Sequence, residues 1–369
     1  GVGEVMLEAG VYPLDRPIEL TDGSTLRGRG RGTKLIASPD FGDDGTDAPD
    51  TATPLLLIDG KNGVTVADLS LAGLSTGAGT GIVAAASAEV TIRDARVSGF
   101  REVGICLRDS TALSRIESCT LAGNGNSAIL LYYLAEGKWG NFIPNLVSNC
   151  MIYGGGRGIV TAHAVVANIV GTVVYQTGGH AFHLTDRSNS IVLSGCRSFQ
   201  ITGHAVLAEN SHEINVSSNV FCWHTEDGIV ARECDWGTLT GNEIIDNGSY
   251  NPGGPDKTIP FEEVAGRYEN KIGIVLDRVR GFTVSANAVF NWGVCPPMSV
   301  GIRESAGSKN NIITANNVNY YLNEAVTAEG SGTVVEDNVE FADEAYRSMI
   351  GRIQSFEPHL TEKLIREMP

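Results

Sequence analysis

Short apolar runs alternate with polar corners along most of this chain, and they keep one register. VSNCMIYGGGRGIVTA (147–162), LSGCRSFQITGHAVLA (193–208), VSSNVFCWHTEDGIVA (216–231), LTGNEIIDNG (239–248) and VSANAVFNWG (284–293) share it. Each repeat holds a short strand, a polar corner, a second strand, a glycine-containing turn and a third strand. Aligned on the corner, the repeats give the column Leu69, Ala95, Cys119, Cys150, Thr172, Cys196, Asn219, Asn242, Asn287, Asn316 and Asn338. Most steps are 22 to 26 residues; the exceptions are 31 before Cys150, 45 before Asn287 and 29 before Asn316. A period of ~20–30 residues with three strands per turn predicts an all-β parallel β-solenoid of about eleven coils. Stacked coils are ~4.8 Å apart, so residues of one column touch. The asparagines then form a ladder that satisfies turn backbone groups, and the cysteines continue it as small buried residues.

The leucine-rich repeat has a similar period, but its LxxLxLxxN pattern is missing here. Beyond Asn338 the period becomes helical, with Phe341, Ala345, Tyr346, Met349, Ile350 and Ile353, then Leu360, Leu364 and Ile365 after Pro358. This predicts a solenoid over residues 1–340 and a helical tail over 341–369 that caps its open end.

In the strand after the turn, Ile229 and Ala231, Ala205 and Leu207, and Ile274 and Leu276 read as inward. The intervening residues Cys106, Ile129, Val160, Phe182, Val206, Val230 and Val275 then form an outward apolar stripe. A contiguous stripe usually marks an interface or a binding groove. Closed symmetry would bury it, so a homo-oligomer is expected, a trimer foremost.

Polar columns flank the stripe. Arg157, His180, His204, Glu226 and Asp227 lie on the turn side; His163, Asp186, Arg187, Glu209, Glu233 and Asp235 lie on the other, with Arg232 from the strand. Two long insertions, YLAEGKWGN (133–141) with Trp139 and the stretch 246–271, border the same strip. Insertions of that length in a compact fold are usually functional or disordered. A cleft over residues 158–235 is therefore expected, with Trp223 as a stacking surface for a sugar and His224 beside it. Glu209 and Glu233, read as equivalent residues of neighbouring coils, are the leading acid/base candidates, with Asp227 third. His180, His204, Trp223, His224, Glu226, Arg232, Trp139 and Arg157 are the substrate-binding candidates. The bland alternative is that polar residues at solenoid turns are simply solvated, and that Arg232 neutralises the glutamates as a structural ion pair.

The opening stretch GEVMLEAGVYPLDRPIELTDGSTLRGRGRGTKLIA resembles the start of the pectin-lyase-like, right-handed parallel β-helix superfamily. The likeness rests on Gly10–Val11–Tyr12, Pro17–Ile18–Glu19–Leu20 and Thr25–Leu26–Arg27–Gly28–Arg29–Gly30. That superfamily holds lyases, glycosidases, epimerases, fructan transferases and phage tailspikes, so the resemblance implies the fold more than an activity. AVLAENSHEINVSSNVF (205–221) is also similar to the inulin fructotransferase group.

Composition narrows the chemistry. The net charge of −16, from 27 basic and 43 acidic residues, argues against a nucleic-acid or anionic-membrane partner. It weighs against a polyanionic substrate too, unless a local basic cleft or bound cation overturns it. Seven cysteines cannot form a complete disulfide set and show no metal spacing, so buried reduced thiols are expected. SPDFGDDGTDAPD lacks the calcium-loop pattern. Gly1 is not a natural start and leaves room for a removed leader; a secreted or periplasmic location is expected, with the cytoplasm as the alternative.

The leading expectation is an enzyme that cleaves or rearranges glycosidic bonds of a poly- or oligosaccharide by carboxylate acid/base catalysis, without a cofactor. A polysaccharide lyase acting on a uronate glycan, with Arg157, His180, His204 or Arg232 at the chemistry and calcium as a possible aid, is the alternative. Epimerisation ranks lower because the alginate-epimerase motif DPHD is absent. A non-catalytic glycan-binding or structural trimer is the reading of another class.

Overall fold

The computed structural model describes residues 3–39, 41, 53–74, 78–133, 144–163, 166–248, 271–291, 298–319 and 321–341. Among them the chain winds through three parallel sheets of 13, 13 and 12 strands, each strand pairing only with its equivalents one coil before and after. One coil runs Asn189–Ser194 in the first sheet, Arg197–Ile201 in the second and Val206–Glu209 in the third. The next runs His212–Ser217, Val220–His224 and Ile229–Arg232. This makes about twelve turns rather than eleven. The additional coils come from residues 4–37, where a 3-10 turn at Gly30–Gly32 interrupts the corner and hides the period. Phe341 ends the strand Val339–Phe341, and the helical tail expected beyond it lies outside the described residues.

The first corner bends on one left-handed residue in every coil from Asp68 to Asp337, including Gly171, Gly195 and Gly241 but also Ala286 and Ala315. An alanine in that conformation costs about 1–2 kcal/mol, and the ladder behind it supplies the compensation. The buried Asn287 donates from Nδ2 to Leu239 O at 2.8 Å and to Asn316 Oδ1 at 2.9 Å. Its own Oδ1 accepts from the backbone N–H and the amide of Asn242, at 3.0 and 2.9 Å. Asn219, Asn242, Asn316 and Asn338 repeat the scheme. Upstream, the thiols of Cys119, Cys150 and Cys196 reach backbone carbonyls at 3.3–3.7 Å, and those of Cys119 and Cys150 also meet each other. Burial pushes the Cys196 thiol up to about 12, so it is an inert thiol.

The third sheet shows a register one residue away from the sequence reading in three coils. Phe182 pairs with Val206, Val206 with Ile229, and Ile129 with Ile105 and Ile159. Ile129, Phe182 and Val206 are fully buried in the main core, whereas Leu207 faces outward. The true outward column is Val83, Cys106, Leu130, Val160, His183, Leu207, Val230, Val275 and Arg303. The frame is set by a neighbouring column of small residues, Gly81, Gly104, Ala128, Gly158, Ala181, Ala205, Gly228, Gly273 and Gly301. Close coil approach is the reason: a Cβ on Gly158 would lie 2.2 Å from Ala181 O, and one on Gly228 2.5 Å from Gly273 O.

The outward stripe is also covered within the single chain. Val83, Cys106, Leu130 and Val160 are at most 8% exposed and form a satellite cluster; Leu207, Val230, Val275 and Val300 form another. An exposed stripe awaiting a second copy was the motive for expecting a trimer, and that motive falls away.

Candidate active site

His183 interrupts the covered stripe. It is the one polar side chain between Val160 and Leu207 in that column, and its side chain is 14% exposed. Around it the third sheet carries a continuous string of polar contacts up the coils. Arg157, first residue of Arg157–Ala162, donates from Nη2 to Asn126 Oδ1 and from Nη1 to His183 Nδ1 at 3.2 Å. Because guanidinium is donor-only, His183 Nδ1 must accept, and the ring proton sits on Nε2. That nitrogen faces Glu209 Oε2 at 3.4 Å. Glu209 Oε1 accepts from Arg232 Nη1 at 2.8 Å, and Arg232 Nε reaches Asp277 Oδ2 at 3.3 Å.

Two more imidazoles lie at the turn into the strand. His180 and His204 stack with ring centroids 5.2 Å apart and planes at 7°, and His183 meets His180 edge-on at 5.3 Å. The backbone N–H of His204 donates to His180 Nδ1 at 3.1 Å, which fixes the His180 proton on Nε2. His204 Nδ1 faces the Asp227 carbonyl at 3.2 Å and must donate to it. His204 Nε2 therefore keeps its lone pair, with no hydrogen-bond partner among the described residues.

All three rings are neutral near pH 7. Burial, then the neighbouring His204, His183 and Arg157, brings His180 down to about 3. Burial and then Arg157 lower His183, with Glu209 opposing. Burial lowers His204, with Asp227 opposing. Burial also raises Asp227, whose Oδ1 accepts the Ile272 N–H at 2.8 Å. Lys271 pairs with Glu226.

The sequence candidates thus separate. Arg157, His180 and His204 form one cluster with His183, and Glu209 and Arg232 extend it. Glu226 and Asp227 border it. Glu233 does not share a column with Glu209: Arg232 occupies that place, and Glu233 lies one residue on, in left-handed backbone, held by Arg278 at 2.9 Å on the surface. The one-residue slip in the third sheet produced that expected pair. His224 is sealed inside the coil at 0% exposure, bonded to Ser198 and Asn247 at 2.9 Å, and burial brings it down to about 4. It fills the interior instead of meeting a ligand. Trp223 stands on the second sheet, 45% exposed, its indole N–H on Asp246. Trp139 and most of both bordering insertions lie outside the described residues. His183, Asn126, Lys271 and Asp277 were not among the sequence candidates; the small-residue column was the signal that would have placed His183 outward.

Among the described residues no group of three or more His, Cys, Asp or Glu is arranged to hold a metal ion.

The family model described as right handed beta helix region matches residues 56–198. The fold is a right-handed parallel β-helix. No curated protein matches the chain at the sequence level. Among solved structures, the A-module of the Azotobacter vinelandii mannuronan C-5 epimerase AlgE6 superposes with a TM-score of 0.67 at 17% identity, over 93% of this chain and 92% of that one. A mannuronic acid specific polysaccharide family 6 lyase from human gut microbiota gives 0.58 at 13%, over 95% and 88%. The surface adhesin PfbA of Streptococcus pneumoniae gives 0.58 at 10%, over 91% and 83%. At these identities the likeness is one of fold.

Proposed function

We propose that this β-helix acts on a uronate-containing polysaccharide, removing the proton α to a sugar carboxylate and cleaving the chain by β-elimination. The observation that carries this reading is the company Arg157 keeps. Its guanidinium is half-buried, yet both its partners, Asn126 and His183, are neutral, and no carboxylate lies in ion-pair distance among the described residues. The nearby cations Arg232, Lys271 and Arg278 all have carboxylate partners. A sugar carboxylate would supply the missing anion to Arg157, through the bidentate geometry that suits a guanidinium. The local cation also answers the objection raised by the net charge.

With the carboxylate neutralised, the charge that develops on it when the α-proton leaves is stabilised at the same place. His204 Nε2 is the base, since its tautomer is fixed by the Asp227 carbonyl and its ring is neutral. The C–H electron pair forms the new C4–C5 double bond, and the C4–O4 bond breaks. The imidazolium formed on His204 returns the proton to O4, with the Asp227 carboxyl group close enough to steady it. Atoms and charge balance without a co-reactant. Glu209 and Glu233, in different columns and each tied to an arginine, favour this chemistry over a paired-carboxylate glycosidase. Mannuronan and mannuronic-acid polymers, for which two proteins of this fold are named, are the first substrates to try.

The test is incubation with polymannuronate, polyguluronate, polygalacturonate and a neutral glucan, following reducing ends and the ultraviolet absorbance of an unsaturated uronate together. Both signals should rise on a uronate polymer and be lost in Arg157→Ala. Reducing ends without absorbance, or cleavage of the neutral glucan, would return the reading to a glycosidase. Solvent deuterium entering the polymer without cleavage would keep the first step and make the second an epimerisation.

A further inference from the structure

The outer face of the second sheet carries a groove of about 310 Å³, over coils that precede those of the histidine cluster and on a different side of the solenoid. Its floor is low because Ser70, Ala72 and Ser98 are small, and its walls are the long cationic side chains of Arg31, Lys34 and Arg96. None of these three cations has a carboxylate in ion-pair distance among the described residues, in a chain whose net charge is −16. Arg96 is held in place by Tyr153: Nη2 donates to the phenol oxygen at 2.8 Å, and the guanidinium carbon is 5.9 Å from the ring centroid. Tyr153 is itself fixed in a stack with Tyr175 and Phe199, at 5.2 Å per step.

We propose that this groove is a second binding site, for an anionic polysaccharide. Three converging cations without anions, one of them preorganised by an aromatic stack, form a place where an anionic ligand gains charge-assisted bonds at little ordering cost. Register sets the cations along the axis. Lys34 pairs with Ser70 and Ser70 with Arg96, so the two charged residues are two strand steps apart, ~9.5 Å. A series of anionic groups on one polymer chain matches that row, whereas a single small anion engages only part of it. The open trough of serine and alanine along the same direction leaves room for the sugar rings between the charges. This site would hold a polymer on the protein while another stretch of it reaches the third sheet, and it does not depend on the chemistry proposed there.

The experiment measures binding of polymannuronate, dextran sulfate, dextran and inorganic phosphate by affinity electrophoresis or calorimetry, with Arg157→Ala as the parent protein so that the third-sheet cation contributes nothing. Lys34→Ala with Arg96→Ala should weaken anionic-polymer binding at least about tenfold, as expected for loss of two charge-assisted contacts, with an unchanged melting temperature and no effect on dextran. Tyr153→Phe, which frees Arg96, should give a smaller loss in the same direction. Preference between polymannuronate and dextran sulfate identifies carboxylate or sulfate as the bound group. An undiminished affinity in the double variant, absence of polymer binding in the parent, or equally strong occupation by phosphate alone would overturn the proposal. Because no turnover is read, each of these results leaves the proton-abstraction reading standing, and failure of that reading leaves this one standing.

Discussion

Glu209 Oε1 lies 2.8 Å from Nη1 of Arg232 in the next coil, and Glu233 has no share in that contact. Arg232 also reaches Asp277, so one cation separates two carboxylates that would otherwise face each other two coils apart. Arg232→Met should take the arginine from Glu209 and leave Asp277 to Arg278 alone. The loss of stability should be about 1 kcal/mol, since the arginine is 43% exposed and water screens the pair. Glu233→Gln, at an exposed pair, should shift the urea midpoint by less than about 0.5 kcal/mol equivalent and leave turnover intact. A large loss of turnover in Glu233→Gln would restore that carboxylate to the mechanism.

Arg157 should tolerate no replacement in catalysis. Arg157→Ala and Arg157→Lys should both lower kcat/KM on a uronate polymer by about 10²–10³, because lysine keeps the charge and loses the planar fork. Stability should barely change in either, since the guanidinium is bonded only to neutral side chains. Steady-state kinetics beside thermal melting separates the two effects.

For His204 the sign of the pH dependence follows from burial. Its folded pKa is lowered below 6.5, so the ring is a free base through neutral pH and becomes protonated only in acid. The acid limb of kcat/KM should therefore lie below 6.5, with activity full above it and lost as pH falls. His204→Gln should cost about 10²–10⁴ in kcat and abolish that limb. A limb unchanged in His204→Gln would assign the base elsewhere, with His183 next.

The amide ladder should be the mechanical weak point when cut. Asn287→Ala leaves Leu239 O and the Asn242 N–H without partners inside the coil, for a loss of about 2–4 kcal/mol. Urea unfolding of Asn287→Ala and Asn287→Ser measures it. A cost below about 0.5 kcal/mol would mean that water replaces the amide.

Acid should destabilise the fold through histidines as well. His224 is brought to about 4 and His180 to about 3 by burial, while in the unfolded chain each binds a proton near 6.5. Between those values the unfolded state holds more protons, so stability is complete above about 6.5 and falls as pH drops. His224→Asn should flatten the melting temperature against pH between 4 and 6.5; an unchanged slope would assign the acid sensitivity to other groups.

The sequence by itself determined the solenoid, the order of strands and the corner ladder. Those depend on local periodicity and on side chains that touch their own equivalents, and both are visible as columns. Arg157, His180 and His204 were legible too, because each sits at the turn into a strand. What the sequence left open was which face each residue of the third strand presents. A β-strand alternates every residue, so a slip of one exchanges the faces, and both Val206 and Leu207 are apolar enough to fit either. The coil-to-coil packing of Gly158 under Ala181 and Gly228 under Gly273 settled it. That contact turned His183 outward, set Arg232 beside Glu209 and left Glu233 on the surface. The groove of Lys34 and Arg96 was likewise invisible in the chain, since it consists of small and charged residues from separate coils. Only stacking the coils brings them to one face.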